Sequence, residues 1–137
     1  MIVVADTGAI YALLDRDDRW HDPVREWWQS AGARVVLPHS ILPEVCWLVG
    51  RRLGAAAEAT FVRSLANGDW QLEGLLTEDL AVIAGLVERY RDLPLGFVDA
   101  AVLTIAARLR ADAILTTDRR HFTVARLTEE SPPRLVP

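Results

Sequence analysis

The chain opens with MIVVADTGAIYALL (residues 1–14), in which a single acidic residue separates two apolar segments. Residues 1–5 are a short run rich in β-branched side chains, which predicts a buried strand. Residues 9–14 continue with helical spacing of apolar side chains. Asp6 therefore closes a strand just before a helix begins.

The same arrangement returns near the end of the chain. AILTT (residues 113–117) is a second β-branched run, and Asp118 stops it at the start of a basic segment. Asp6 and Asp118 are thus predicted to follow two different strands of one sheet.

Two other acidic residues are predicted to begin helices. SILPE (residues 40–44) has Ser40 as a candidate N-cap and Pro43 in the first turn, which places Glu44 at the opening of that helix. GFVD (residues 96–99) leads into a long helical period, so Asp99 lies in its first turn. In an open parallel sheet, strand carboxyl ends and helix starts share one edge, and the four acids are expected to converge there.

Strands and helices alternate along the whole chain, which predicts a single domain over residues 1–137. The expected architecture is a three-layer α/β/α fold with a mostly parallel central sheet of four to five strands. Predicted strands cover residues 1–5, 34–37, 69–73 and 113–117, with a further edge strand near 125–127. Predicted helices between them cover residues 9–14, 21–28, 40–53, 55–67, 77–90 with Thr77 as N-cap, and 99–109.

Each acid alone is readily explained as a helix cap or a turn residue. Three of the four, however, are flanked by apolar residues expected in the core, and a solvated cap needs no such neighbours. Two carboxylates about 4 Å apart repel by roughly 4 kcal/mol, whereas a helix N-terminus stabilises each carboxylate by only about 0.3–1 kcal/mol. A bound cation would resolve this repulsion, and an all-oxygen ligand set favours Mg²⁺ or Mn²⁺. Phosphoryl chemistry is the natural use of such a site.

Composition narrows the function classes further. The single Cys46 allows no disulfide within the chain, and no apolar run approaches the ~20 residues of a membrane span, so we expect a cytoplasmic protein with no membrane partner. All basic residues are Arg, and without Lys neither a P-loop nor a Lys-dependent phosphotransfer site is possible. The formal charge of −4 argues against a broad nonspecific nucleic-acid surface. Local Arg patches are candidates for phosphate contacts: Arg16, Arg19, Arg51, Arg52, Arg119 and Arg120.

Four segments together resemble the signatures of PIN-domain nucleases, and most of all the VapC-like toxins of type II toxin–antitoxin pairs. They are VVADTGA (3–9), LPE (42–44), LPLGFVDAA (93–101) and ILTTDRRHF (114–122). The resemblance implies a Mg²⁺- or Mn²⁺-dependent endoribonuclease toxin that hydrolyses RNA phosphodiester bonds with a water activated by the metal. It also implies a homodimer and a cognate antitoxin protein as partner. The family's acidic quartet falls on Asp6, Glu44, Asp99 and Asp118.

By the same resemblance, Asp6 and Asp99 are the principal metal ligands, and Glu44 holds the ion or orients its water. Asp118 serves either a second ion or only the water network. Thr7 and Thr116 are candidates to hydrogen-bond the carboxylates, with ordinary turn capping as an equal alternative. His121, in a basic turn, is interpreted as a surface residue and lies outside the predicted catalytic set.

One alternative from another class stays open: a noncatalytic PIN-like module that binds RNA or protein without a metal. Adjacent Trp27 and Trp28 cannot both face the core from one helix, so at least one is expected to be partly exposed at an interface. A second copy of the chain or an antitoxin segment would occupy that interface.

Overall fold

A computed structural model of the chain describes residues 1–125 and 132–137. Five strands form one sheet in the order β3-β2-β1-β4-β5, and every neighbouring pair is parallel. The strands are β1 (Ile2–Ala5), β2 (Arg34–Pro38), β3 (Gln71–Glu73), β4 (Ala113–Leu115) and β5 (Leu135–Val136). The predicted parallel sheet of four to five strands is thus confirmed.

Seven helices in the described residues connect and cover these strands. They are α1 (Thr7–Leu14), α2 (His21–Ser30), α3 (Leu42–Leu53), α4 (Ala55–Ala66), α5 (Thr77–Arg89), α6 (Phe97–Arg108) and α7 (Arg119–Val124). Helix α1 packs on α2 and α3, α3 packs on α4, and α5 packs on α6, which in turn contacts β1 and β2. No helix in residues 1–125 or 132–137 is long and apolar enough to cross a membrane.

The centre of the sheet is completely buried. Val3, Val4 and Ala5 of β1 have no exposed surface, and neither do Ile114 and Leu115 of β4. A parallel strand covered on both faces is expected to be continuously apolar rather than alternating, as these two strands are. One apolar core joins these strands to the inner sides of the helices.

Strand order reverses at β1, and this reversal positions the site. The chain adds β2 and β3 on one side of β1, then crosses back to place β4 and β5 on the other side. In open α/β sheets the crevice outside the strand carboxyl ends at such a switch point is where ligands bind. Asp6 follows β1 and Asp118 lies three residues after β4, so both flank this crevice.

The structure corrects several local predictions. Ser40 is not a helix cap, because it lies inside a short 3-10 turn (His39–Ile41) that precedes α3. Thr77 is the first residue of α5 rather than its N-cap, and the side chain of Asp79 accepts the Leu76 N–H instead, at 2.8 Å. The sequence predicted neither α7 nor β5. Most of the edge strand predicted near 125–127 lies outside the described residues.

Candidate active site

Asp6 is the most buried of the four predicted acids, with only 6% of its surface exposed. Its backbone N–H continues the sheet by donating to the carbonyl of Leu115 in β4 at 3.0 Å. Its side chain caps α1, since Oδ1 accepts the Ala9 N–H at 3.1 Å. The other carboxylate oxygen accepts the hydroxyl of Thr116, which is fully buried. The end of β1 therefore fixes Asp6 in one orientation.

Burial raises the pKa of Asp6 from 3.8 to about 7, because an apolar surrounding disfavours the charged form. The Thr116 and Ala9 hydrogen bonds act in the opposite direction and stabilise the carboxylate. The negative charges of Asp99 and Asp118 raise the pKa further. Asp6 therefore lies within electrostatic range of two other members of the quartet.

Asp99 occupies the first turn of α6, where the chain enters the core. Burial raises its pKa, and the negative charges of Asp118 and Glu44 raise it as well. The charge of His121 and the backbone N–H of Gly96 oppose this shift. Because Asp99 experiences both Glu44 and Asp118, and Asp6 experiences Asp99, the structure brings all four predicted acids to one edge of the sheet.

Glu44 lies in the first turn of α3 and is the exposed member of this group. The hydroxyl of Thr7 donates to its Oε2 at 2.9 Å, across 37 residues of sequence. Thr7 and Thr116 therefore each contact one carboxylate of the quartet. A hydrogen bond of this kind fixes the direction in which an acidic side chain points.

Asp118 is engaged differently from the other three acids. It is the N-cap of α7, and its Oδ1 accepts the N–H groups of Arg120 and His121 at 3.1 and 3.3 Å. Its Oδ2 lies 2.6 Å from Nδ1 of His121. Its own N–H donates to the hydroxyl of Thr116 at 2.9 Å, so Thr116 joins Asp118 to Asp6.

His121 was interpreted from the sequence as a surface residue, but only 19% of its side chain is exposed. It packs against Asp118 because α7 brings residues three apart onto the same side of the helix. The signal that could have revealed this contact is the Asp-x-x-His spacing at the start of a helix, which required α7 to be recognised first.

Gly8 allows the first turn of α1 to lie close to the segment that follows β4. A Cβ atom on Gly8 would collide with Oγ1 of Thr117, and it would lie 3.8 Å from Oδ1 of Asp6. A side chain at position 8 would therefore intrude between the two segments that carry Asp6 and Asp118.

The donor chemistry of this site fits a hard divalent cation. All four side chains offer carboxylate oxygens, and in the described part of the chain only Asp118 among them has an ion-pair partner. In the side-chain conformations observed, no three His, Cys, Asp or Glu residues of 1–125 and 132–137 are close enough together to hold a metal ion. Three of the four acids instead face a hydrogen-bonding side chain: Asp6 faces Thr116, Glu44 faces Thr7 and Asp118 faces His121. Rotation of these side chains toward a common centre is needed to coordinate a cation.

Comparison with known proteins identifies the class to which this fold and site belong. Residues 3–127 match the family model of the PIN domain, and the chain belongs to that family. A curated relative, Ribonuclease VapC26 of Mycobacterium tuberculosis, is 35% identical over 124 residues, which are 90% of this chain and 92% of the relative.

Solved structures share the same fold at lower sequence identity. Mycobacterium tuberculosis VapC20, titled a sarcin-ricin loop cleaving toxin, has a TM-score of 0.77 at 19% identity, covering 90% of this chain and 99% of that one. VapBC2 from Rickettsia felis, bound to a DNA fragment from its promoter, has a TM-score of 0.70 at 12% identity, covering 98% and 97%. FitAcB from Neisseria gonorrhoeae has a TM-score of 0.63 at 17% identity, covering 89% and 91%.

Proposed function

We propose that this protein is a Mg²⁺- or Mn²⁺-dependent endoribonuclease toxin of a toxin–antitoxin pair. The observation that carries the proposal is the meeting of four carboxylates at the switch point, with buried Asp6 at a pKa of about 7 and no cationic side chain beside it in the described residues. The likeness to a relative named a ribonuclease extends over nine-tenths of the chain and supplies the substrate class.

In this proposal Asp6 and Asp99 are the principal metal ligands, and Glu44 completes the site from α3. Thr116 and Thr7 orient Asp6 and Glu44 through the hydrogen bonds described above. Asp118, whose oxygens are occupied by α7 and His121, acts from the rim of the site. A divalent ion bound here would supply an activated water and would stabilise negative charge on the scissile phosphate.

The raised pKa of Asp6 has a direct consequence for catalysis. Near neutral pH a substantial fraction of Asp6 is protonated without a cation, and a divalent ion held by Asp6 would require loss of that proton. Thr116 and the Ala9 N–H stabilise the ionised form that binds the ion. Metal affinity should therefore increase with pH across neutrality.

The antitoxin is proposed to bind the groove between α1, α3 and α4. Its walls are mainly apolar, and their apolar residues are Leu14, Val49, Leu53, Ala57, Phe61 and Trp70. Two of the structural relatives are titled as VapBC2 and FitAcB, and we infer a corresponding protein partner for this chain. An amphipathic segment laid into such a groove is a common mode of peptide recognition.

We also propose a homodimer, formed through the exposed apolar side of α5. Leu80 and Val87 of this helix and the neighbouring Phe97 are 47%, 37% and 49% exposed and line one concave surface. Large apolar side chains grouped in this way are typical of interfaces. Light scattering of the wild type and of Leu80→Glu tests this homodimer. The glutamate would place a charge in the apolar interface, so the measured mass should fall from that of two chains to that of one.

We take residues 1–137 as one nuclease domain that acts in the cytoplasm. A single core contains residues from Val3 of β1 to Val136 of β5, which supports one folding unit. The cytoplasmic location follows from the proposed RNA substrate.

A noncatalytic binding module is the second candidate, and one observation favours it. The described side chains do not form a ready-made group of three metal ligands. If the acids do not rotate toward a common ion, the same surface would bind RNA or protein without cleaving it.

Cleavage of RNA separates the two candidates. The purified protein is incubated with a mixed pool of structured and single-stranded RNAs in Mg²⁺, Mn²⁺ or EDTA. Asp99→Asn is compared with the control Asp92→Asn, which changes an exposed acid outside the quartet. The nuclease cleaves only with metal, loses cleavage in Asp99→Asn and keeps it in Asp92→Asn. A binding module cleaves nothing and retains its affinity in both variants.

A further inference from the structure

Helix α3 presents one side directly beside the candidate active site, and this side is exposed except at the half-buried Leu48. Glu44, Trp47, Leu48 and Arg51 follow the i, i+3, i+4, i+7 spacing, so they lie along the same side of the helix. The opposite side carries the buried Val45 and Val49. A continuous surface therefore runs from the acidic site to the basic end of α3.

Trp47 is the most exposed large hydrophobic side chain in the described residues, at 60%. It lines a shallow concavity together with Pro43, Glu44 and Leu48, which we name the Trp47 slot. The guanidinium carbon of Arg51 lies 5.3 Å from the centre of the Trp47 ring. Arg51 therefore covers one face of an indole ring that is otherwise largely exposed, and a proposed site residue, Glu44, lines the same slot.

We infer that the Trp47 slot receives one base of the single-stranded RNA substrate, an inference that rests on the proposed nuclease function. Unstacked bases bind proteins by stacking on aromatic rings, and basic side chains hold the adjacent phosphates. Trp47 supplies the ring and Arg51 supplies the cation. Both residues determine how the strand lies across the site rather than the chemistry itself.

Spacing along the helix agrees with this assignment. At about 1.5 Å per residue, Trp47 lies roughly 4.5 Å along α3 from Glu44, and Arg51 roughly 6 Å beyond it. A stacked strand advances about 3.4 Å per nucleotide. A base on Trp47 would thus be one or two nucleotides from a phosphate bound near Glu44, and Arg51 would contact a phosphate farther along the same strand.

The size and charge of the slot favour RNA over a protein partner. A stable protein interface buries about 800 Å² on each side, and its centre is depleted in charged residues. Four side chains line the slot, among them charged Glu44, and the guanidinium of Arg51 lies over the Trp47 ring. This arrangement fits a single flat base attached to a charged backbone.

Binding of two oligonucleotides tests the inference. Fluorescence anisotropy is measured for a labelled 12-nucleotide oligoadenylate and for a ribose-phosphate 12-mer without bases, in Mg²⁺, using the Asp99→Asn protein to prevent cleavage. Trp47→Ala should weaken oligoadenylate binding roughly 5- to 150-fold, as expected for loss of one stacked base, and leave binding of the abasic strand unchanged. Trp47→Phe should retain most of the preference for bases.

Arg51→Ala provides a second, independent measurement. Loss of one phosphate contact should reduce the slope of log affinity against log salt by about 0.7 for a single strand. The matched control is Arg110→Ala, because Arg110 lies between α6 and β4 at the opposite edge of the sheet and should not change the slope.

Three outcomes are decisive. Equal weakening of both oligonucleotides by Trp47→Ala would overturn the inference, because stacking requires a base. Unchanged RNA affinity with conversion of dimer to monomer would assign the slot to a second copy of the chain. If Asp99→Asn carrying native Trp47 binds neither strand, and the wild type cleaves no RNA, the proposed function itself fails.

Discussion

The hydroxyl of Thr116 donates a hydrogen bond to the carboxylate of Asp6, from which it is separated by 110 residues of sequence. The bond joins the carboxyl ends of β1 and β4, the two strands on either side of the switch point. The same hydroxyl accepts the N–H of Asp118 at 2.9 Å. One buried threonine thus holds two acids of the quartet in place.

Replacing Thr116 with Val keeps the shape of the side chain and removes its hydroxyl. The hydrogen bond from Thr116 lowers the pKa of Asp6 in the wild type. Removal of this bond should therefore raise that pKa above about 7. Metal affinity at pH 7 should fall about 10- to 100-fold, and the loss should diminish at higher pH. Calorimetric titration with Mg²⁺ between pH 6 and 9 measures both effects.

Thr104→Val is the matched control for that experiment, since among residues 1–125 and 132–137 the Thr104 hydroxyl bonds only the Ala100 carbonyl inside α6, at 2.8 Å. It should leave metal affinity unchanged. Equal losses in the two variants would mean that Thr116 acts through general stability and not through Asp6.

The stability of the metal-free protein should decrease as pH rises. Native Asp6 has a pKa of about 7 against 3.8 for the ordinary side chain, so between these values the folded state holds a proton that the unfolded state releases. The contribution of Asp6 to the free energy of unfolding is fully present below about pH 4, decreases as the pH rises through about pH 7, and stays low at higher pH. The total decrease is at most roughly 4 kcal/mol, because one unit of pKa corresponds to about 1.4 kcal/mol.

Urea denaturation in EDTA at pH 5 and pH 8 measures this difference in the free energy of unfolding. Asp6→Asn cannot ionise and should show a smaller decrease than the wild type. Addition of Mg²⁺ should stabilise the wild type more at pH 8 than at pH 5, because the ion binds ionised Asp6. An identical pH dependence in wild type and Asp6→Asn would refute this assignment.

Gly8→Ala should destabilise the protein through one contact, because the new Cβ would collide with Oγ1 of Thr117. Overpacking of this kind typically costs about 1–3 kcal/mol. In a Thr117→Ala background the collision disappears, and Gly8→Ala should be neutral or stabilising, since Ala is the better helix former. Thermal unfolding of the four proteins forms a double-mutant cycle, and additive effects would show that the two positions do not interact.

Away from the candidate active site, Arg108 of α6 connects its own helix to β3 and α5. It binds Glu73 at 2.8 Å, Asp79 at 3.1 Å and the Gly74 carbonyl at 2.9 Å. Asp79→Ala should reduce the free energy of unfolding by about 2–4 kcal/mol, since it also removes the acceptor of the Leu76 N–H. Urea denaturation measures the loss, and exposed Asp69→Ala should change it by less than about 0.5 kcal/mol. A similar small effect of both substitutions would show that the ion pairs contribute little.

The central strands and the positions of the four acids were predictable from sequence. Buried parallel strands such as Val3–Ala5 are continuously apolar, and a polar residue ends each of them abruptly. Asp6 and Asp118 could therefore be placed at strand ends, and the parallel topology placed Glu44 and Asp99 at the same edge. These inferences used local patterns and one rule of topology.

The two elements that were not predicted from the sequence, α7 and β5, depend on tertiary contacts that a local sequence pattern does not reveal. Helix α7 is six residues long and has no apolar period of its own, and Asp118 begins it by capping two backbone N–H groups. Strand β5 has two residues and exists through its pairing with β4. The contact between Asp118 and His121 could not be predicted without α7.

Manganese binding shows whether the acids at the switch point hold a divalent ion. Free Mn²⁺ is titrated by electron paramagnetic resonance against the wild type, Asp99→Asn and the control Asp92→Asn at pH 7.5. We predict saturable binding by the wild type and Asp92→Asn, and at least about tenfold weaker binding by Asp99→Asn. Equal binding by all three proteins, or no binding by the wild type, would contradict the account.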